Sequence, residues 1–135
     1  MKYLLDTNVC IALINGSSEK ARRRYMQAER DSALAISAVV LHELQYGIAK
    51  SELVAHNARA LEAFLHRGIA VLDFDRSAAL AAAKIRVDLE RKGKRIGEYD
   101  TLIAGHALAE NLILVTANAR EFNRVKGLPV EDWTA

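Results

Sequence analysis

Three carboxylates occupy positions where a solvated charge is not expected. Asp6 directly follows the apolar run 3–5, and Glu43 borders the apolar stripe of a predicted helix. Asp100 opens another predicted helix and shares its apolar face. Its neighbours on that face, three, four, seven and eight positions further on, are Ile103, Ala104, Ala107 and Leu108. A carboxylate on such a face has to be paired, hydrogen-bonded or bound to a cation.

Each acid taken alone has an ordinary structural explanation, because Asp caps helices and favours their first turn, and Glu is common at the rim of a helix. Together the three indicate a cation site, since close carboxylates cannot all stay ionised and no Lys or Arg is placed to neutralise them. Oxygen ligands suit Mg²⁺ or Mn²⁺, whereas the four histidines and the single cysteine lack zinc-ligand spacing. Mg²⁺ held by few carboxylates binds phosphate oxygens, so the acids predict phosphodiester hydrolysis.

The elements that must position these acids alternate between strand and helix. Apolar runs predict strands at 3–5, 33–36, 70–72 and 112–115, with a short last strand at 128–130. Helical periodicity predicts helices at 9–14, 19–30, 37–48, 53–65, from Asp75 or Ser77 to Gly93, and at 100–109. This alternation is typical of a parallel sheet of buried strands covered by helices on both faces. Ligands bind beyond the carboxyl ends of such strands, which selects Asp6, Ser37 and the segment from Thr116.

Composition limits the class of protein. The 135 residues are 51% hydrophobic and 27% charged, so we expect one domain over residues 1–135 with its own core. The formal net charge of +2 allows a nucleic-acid partner without requiring one. The single cysteine, Cys10, lies among apolar residues and is expected to be buried. No disulfide, secretory signal or membrane-spanning run is recognised, so we expect a cytoplasmic protein with no membrane association.

Five segments of the chain, in this order, resemble the motifs of the PIN-domain family and of its VapC toxin branch. They are LLDTN at 4–8, SAVVLHELQYG at 37–47, IGEYDTLIA at 96–104, LVTAN at 114–118 followed by EF at 121–122, and GLPVEDW at 127–133. The resemblance covers nearly the whole chain. It implies a PIN-like α/β fold, with a parallel sheet of about five strands flanked by helices.

The resemblance also implies an activity and partners. The activity is that of an endoribonuclease dependent on Mg²⁺ or Mn²⁺, with Asp6, Glu43 and Asp100 as catalytic residues and metal ligands. The partners are a VapB-type antitoxin protein and a second copy of the chain in a homodimer. The segment 96–133 is most similar to the enterobacterial branch that cuts initiator tRNA in the anticodon loop, so tRNA is the expected substrate.

Further residues are expected around these three acids. Asn8, Thr116 and Asn118 are predicted to hold the ligands in place. Many relatives carry a fourth acid near the position of Asn118, where this chain is neutral, and Glu121 is the nearest acid. Which of the two completes the site stays open, as does the choice of one metal or two. Many relatives also have a proline at the position of Glu98. RNA phosphates are expected to contact Lys94, Arg95 and Arg120.

Other classes agree less well with these residues. A haloacid-dehalogenase-like phosphatase needs a second Asp two residues after the first, where Asn8 stands. A receiver domain needs an Asp after a middle strand and a Lys after a late one; Ser37 ends the second strand and 116–118 contains no lysine, although Asp73 follows the third. Two alternatives stay open: a degenerate PIN scaffold that binds RNA without cutting it, favoured by the neutral Asn118, and a nuclease that acts on DNA.

Overall fold

A parallel sheet of five short strands forms the centre of the fold. The structure is a computed structural model that describes residues 1–135. The strands are β1 (Tyr3–Leu5), β2 (Leu34–Ser37), β3 (Ala70–Leu72), β4 (Ile113–Val115) and β5 (Val130–Glu131). Their order across the sheet is β3-β2-β1-β4-β5, and every neighbouring pair is parallel. The predicted α/β fold with about five parallel strands is confirmed.

Seven helices surround the sheet. They are α1 (Thr7–Asn15), α2 (Glu19–Asp31), α3 (Ala38–Ala49), α4 (Val54–Leu65), α5 (Arg76–Arg91), α6 (Glu98–Ala109) and α7 (Ala119–Phe122). The six longer helices lie where the sequence predicts them, with ends that differ by a few residues. The single turn of α7 is too short to show a helical period and was not predicted. None of the helices is both long and apolar enough to cross a membrane.

The strands are not all buried, contrary to the sequence prediction. The central strand β1 is enclosed along its whole length. The edge strand β3 has a neighbour on one side only and leaves Val71 39% exposed. The last strand begins at Val130 rather than at Leu128, whose side chain packs in the core instead.

Side-chain caps fix where several helices begin. The Ser37 hydroxyl accepts a hydrogen bond from the backbone N–H of Val39 at 3.0 Å, so its predicted role as the cap of α3 is confirmed. Of the two residues considered for the start of α5, Asp75 is the cap, because its Oδ1 accepts from the N–H of Ala78 at 3.0 Å. These caps satisfy N–H groups that have no partner inside the helix.

The helices α5 and α6 pack unusually close together. A Cβ added to Gly105 on α6 would lie 2.5 Å from the backbone nitrogen of Ala82 on α5. Only glycine permits this approach, which sets the position of α6 and of Asp100 at its start. Elsewhere in the core, Cys10 is fully buried as predicted, and burial raises the pKa of its thiol well above the usual range.

Candidate active site

Asp6 lies at the carboxyl end of the central strand and is only 3% exposed. Its Oδ1 accepts from the backbone N–H of Thr7 at 2.8 Å, and its Oδ2 accepts from the Thr116 hydroxyl at 2.7 Å. The first contact is the helix cap that an Asp at this position commonly makes. The second crosses from β1 to the end of β4, as the prediction for Thr116 requires. Burial raises the pKa of Asp6, and these two hydrogen bonds offset part of that effect.

Glu43 is held beside Asp6 by a residue that the sequence prediction missed. The Thr7 hydroxyl donates to Glu43 Oε1 at 2.8 Å, while the Thr7 backbone N–H donates to Asp6. One residue therefore orients two of the three predicted acids. The signal available in the sequence was a hydroxyl residue directly after the acid that ends the central strand.

Asp100 lies in the first turn of α6 and is half-buried. The prediction that it faces the core is only partly right. The first buried residue of α6 is the next one, Thr101, and Asp100 stands at the rim of the buried face. Burial, followed by the nearby charges of Asp6, Glu121 and Glu43, raises the pKa of Asp100 from 3.8 to about 7.

A fourth carboxylate, Glu121 on α7, lies with these three. Its charge raises the pKa of both Asp6 and Asp100. The Asn118 side-chain amide donates to Glu121 Oε2. Of the two residues left open by the sequence, the structure therefore brings the acid Glu121 to the cluster, and Asn118 stands beside it as its hydrogen-bond donor.

Asn8 in the first turn of α1 and Thr116 after β4 attach the segment after β4 to the junction between β1 and α1. Asn8 Oδ1 accepts from the backbone N–H of Ala117 at 3.1 Å. Thr116 Oγ1 accepts from the N–H of Asn118 at 3.0 Å while its own hydrogen goes to Asp6. The residues predicted to support the acids thus form one connected network between the start of α1 and the segment that joins β4 to α7.

This cluster carries a negative charge that the chain does not neutralise. None of its four carboxylates takes part in an ion pair with Lys, Arg or His. Carboxylates that raise one another's pKa in this way are stabilised by a cation. In the conformation described, no three His, Cys, Asp or Glu side chains form a ready metal-binding group. Four carboxylates that lie near one another without enclosing a site fit Mg²⁺, because this ion binds few protein oxygens directly and keeps several of its waters.

The basic residues predicted to contact RNA are exposed, but they do not join the cluster. The Arg95 guanidinium points toward Glu90 at 3.9 Å, and the Arg95 carbonyl accepts from Arg124 at 3.0 Å. Lys94 and Arg120 are exposed on the surface. None of these three basic side chains is among the charges that shift the pKa of Asp6 or of Asp100.

An apolar groove of about 320 Å³ opens beside Glu43. It runs between α1, α3 and α4, and the apolar side chains along it are Ile11, Ile14, Leu44, Ile48, Ala60 and Leu61. Ile11 is exposed on its wall. The acidic cluster therefore adjoins an apolar surface on one side.

Comparison with known proteins agrees with this architecture. A model of the PIN domain matches residues 3–128. The chain is 43% identical over 134 residues to the tRNA(fMet)-specific endonuclease VapC of Shigella flexneri, covering 99% of both chains. It is 41% identical to ribonuclease VapC2 of Rickettsia felis, covering 98% of both.

Solved structures agree as well. The structure of VapBC2 from Rickettsia felis bound to a promoter DNA fragment matches with a TM-score of 0.93 and 38% identity, over 98% of this chain and 99% of that one. DNA-bound VapBC from Salmonella typhimurium matches with a TM-score of 0.91 and 43% identity, over 98% of both chains.

Proposed function

The chain belongs to the VapC branch of the PIN-domain family, and we propose that it is a metal-dependent endoribonuclease, the toxin of a toxin–antitoxin pair. The observation that carries the metal-dependent mechanism is the cluster of four carboxylates without a counter-charge, at the carboxyl end of a parallel sheet. Such a cluster can bind divalent cations, which in turn bind the phosphate groups of a substrate.

Asp6, Asp100 and Glu43 are the residues that would hold Mg²⁺ or Mn²⁺, directly or through water, with Glu121 as a fourth carboxylate. A bound metal supplies activation of water and neutralisation of charge that builds on the phosphate. The chain's own contribution is to fix the acids: Thr116 and Thr7 hold Asp6, and the Thr7 hydroxyl fixes one oxygen of Glu43. The other Glu43 oxygen is then left to orient the attacking water and to accept its proton.

The products follow from water being the nucleophile. The water oxygen forms a bond to phosphorus, the bond from phosphorus to the 3′ oxygen breaks, and that oxygen takes up a proton. Cleavage should therefore leave a 5′-phosphate and a 3′-hydroxyl. The 2′-hydroxyl does not attack, so no cyclic phosphate should form.

We propose tRNA as the substrate because the relatives with 43% identity over almost the full chain are named tRNA(fMet)-specific endonucleases. We propose a VapB-type antitoxin as the partner because similar solved structures are VapBC complexes. The apolar groove beside Glu43 would let a protein partner contact the site and the surface around it together. A homodimer is proposed on the resemblance of the chain to this family.

The test is cleavage of total bacterial tRNA by the purified chain, free of antitoxin, in Mg²⁺, Mn²⁺ or EDTA. Asp6→Asn and Asp100→Asn should abolish cleavage. Asp88→Asn is the matched control, because this acid is exposed on α5 and paired with Lys92. Sequencing of the ends should find one principal cut with a 5′-phosphate, present only with metal.

Two results would contradict the proposal. If the folded chain binds tRNA but does not cut it in the presence of either metal, it is a degenerate scaffold. If the same preparations cut single-stranded or duplex DNA but leave RNA intact, the substrate class is wrong. Far-UV circular dichroism of each variant separates loss of cleavage from loss of fold.

A further inference from the structure

Two aromatic side chains that directly precede acids of the cluster in the sequence contact each other. Tyr99 directly precedes Asp100 on α6, and His42 directly precedes Glu43 on α3. Their ring centroids are 5.8 Å apart and their planes are tilted by 46°. The pair therefore bridges the two helices that carry Glu43 and Asp100.

The fold has no evident need for this pair. Neither residue belongs to the hydrophobic core, His42 is exposed, and Tyr99 is 49% exposed. Because the rings are tilted rather than stacked face to face, they do not cover each other's faces. An exposed aromatic surface next to a functional site is a common sign of ligand contact.

The aromatic surface continues along α3. Tyr46 lies one turn after His42, is 59% exposed, and has the Lys50 ammonium 4.8 Å from its ring centroid. A helix rises about 6 Å over four residues, so these groups follow one another at intervals of about one turn along α3. Aromatic rings alternating with a cation are the composition of surfaces that bind single-stranded nucleic acid.

We propose that Tyr99 and His42 form a stacking platform for an unpaired nucleobase next to the scissile phosphate. The proposal rests on the proposed function and names the feature of RNA that the site selects. A base held in a duplex is stacked between its neighbours and is not available to a protein ring, whereas a loop base is. The site should therefore choose loops over paired stems.

The test is a double-mutant cycle in which one change removes the Tyr99 ring and the other removes a base of the RNA. The probe is a short RNA hairpin cut in its loop by the wild-type chain, labelled with a fluorophore. A second version lacks the base at each nucleotide flanking the cut in turn. Binding is followed by fluorescence anisotropy in Ca²⁺ or EDTA, and cleavage by single-turnover kinetics in Mg²⁺.

For intact RNA, Tyr99→Leu should weaken binding by roughly 5- to 150-fold, and Tyr99→Phe should retain it. Removing one flanking base should weaken wild-type binding by a similar factor, with little further loss in Tyr99→Leu. Tyr46→Leu is the matched control: it removes another exposed tyrosine ring, one turn after His42 on α3, and its effect should be independent of that base. Thermal unfolding of each variant should be unchanged, because both rings are exposed.

The proposal is wrong if Tyr99→Leu binds and cuts intact RNA like the wild type, or if its loss is equally large on RNA without the base. It is also wrong if the variant changes the mass of the chain in light scattering but not its RNA binding, since the pair would then be a contact between copies. If the wild-type chain neither binds nor cuts any RNA, the proposed function itself has failed, which is a separate result.

Discussion

Gly105 on α6 should be intolerant of even one added methyl group. The Cβ of Gly105→Ala would lie 2.5, 2.6 and 2.7 Å from the nitrogen, Cα and Cβ of Ala82. Two of these atoms are backbone, so no rotamer change can relieve the clash and α6 has to move away from α5. Forcing a methyl group into a packed core costs about 1–3 kcal/mol, and a contact with backbone belongs at the upper end.

The helix propensity of alanine acts in the opposite direction and gives back about 1 kcal/mol. The net loss in Gly105→Ala is therefore about 2 kcal/mol, which in a chain of this size lowers Tm by roughly 6–10 °C. Gly47→Ala is the matched control, because Gly47 lies within α3 and nothing stands within 4 Å of an added Cβ. The same substitution there should raise Tm by a few degrees.

Urea and thermal unfolding, followed by circular dichroism and by the fluorescence of buried Trp133, measure both variants. A double variant with Ala82→Gly identifies the clashing atoms. Because the nearest atoms belong to the Ala82 backbone, removing its Cβ should not restore stability to Gly105→Ala. Two results would contradict a clash with the Ala82 backbone. One is that both glycine variants shift stability in the same direction, and the other is that Ala82→Gly fully restores the stability of Gly105→Ala.

Three further predictions concern the acids. Thr116→Val should leave Asp6 Oδ2 without its donor and cost about 1–3 kcal/mol in urea unfolding, whereas Thr116→Ser should stay near the wild type. The pKa of Asp100 is raised from 3.8 to about 7 in the folded chain, so the metal-free fold binds more protons than the unfolded chain between these values. The stability of the metal-free chain should therefore fall as pH rises through about 7. In calorimetry with EDTA at pH 8, the free energy of unfolding of Asp100→Asn should exceed that of the wild type by on the order of 1–2 kcal/mol, a value already reduced for solvent screening of a half-buried group. A variant that is equally or less stable would contradict this. Asn118→Ala should free Glu121 and lower single-turnover cleavage roughly 10- to 100-fold with little change in Tm, and an unchanged rate would show that Glu121 needs no support.

Local patterns in the amino-acid sequence are enough to predict the kinds of secondary-structure element and much of their order along the chain. Buried strands and amphipathic helices can be recognised from the spacing of apolar residues, because the backbone geometry of each element fixes which positions are buried. The same local information made Ser37 a cap and Cys10 a core residue, and it singled out Asp6 and Asp100. An acidic residue among apolar neighbours can be recognised from the amino-acid sequence alone.

Which side chains meet depends on the tertiary structure, and the sequence patterns did not predict it. The strand order makes β1 the neighbour of both β2 and β4, and this brings Thr116 to Asp6 across 110 positions of sequence. It also decided that Glu121 joins the acids and that Thr7 links two of them. The requirement for Gly105 arises in the same way, from the distance between two helix backbones. Such distances depend on how all the elements pack together, and no local period along the chain records them.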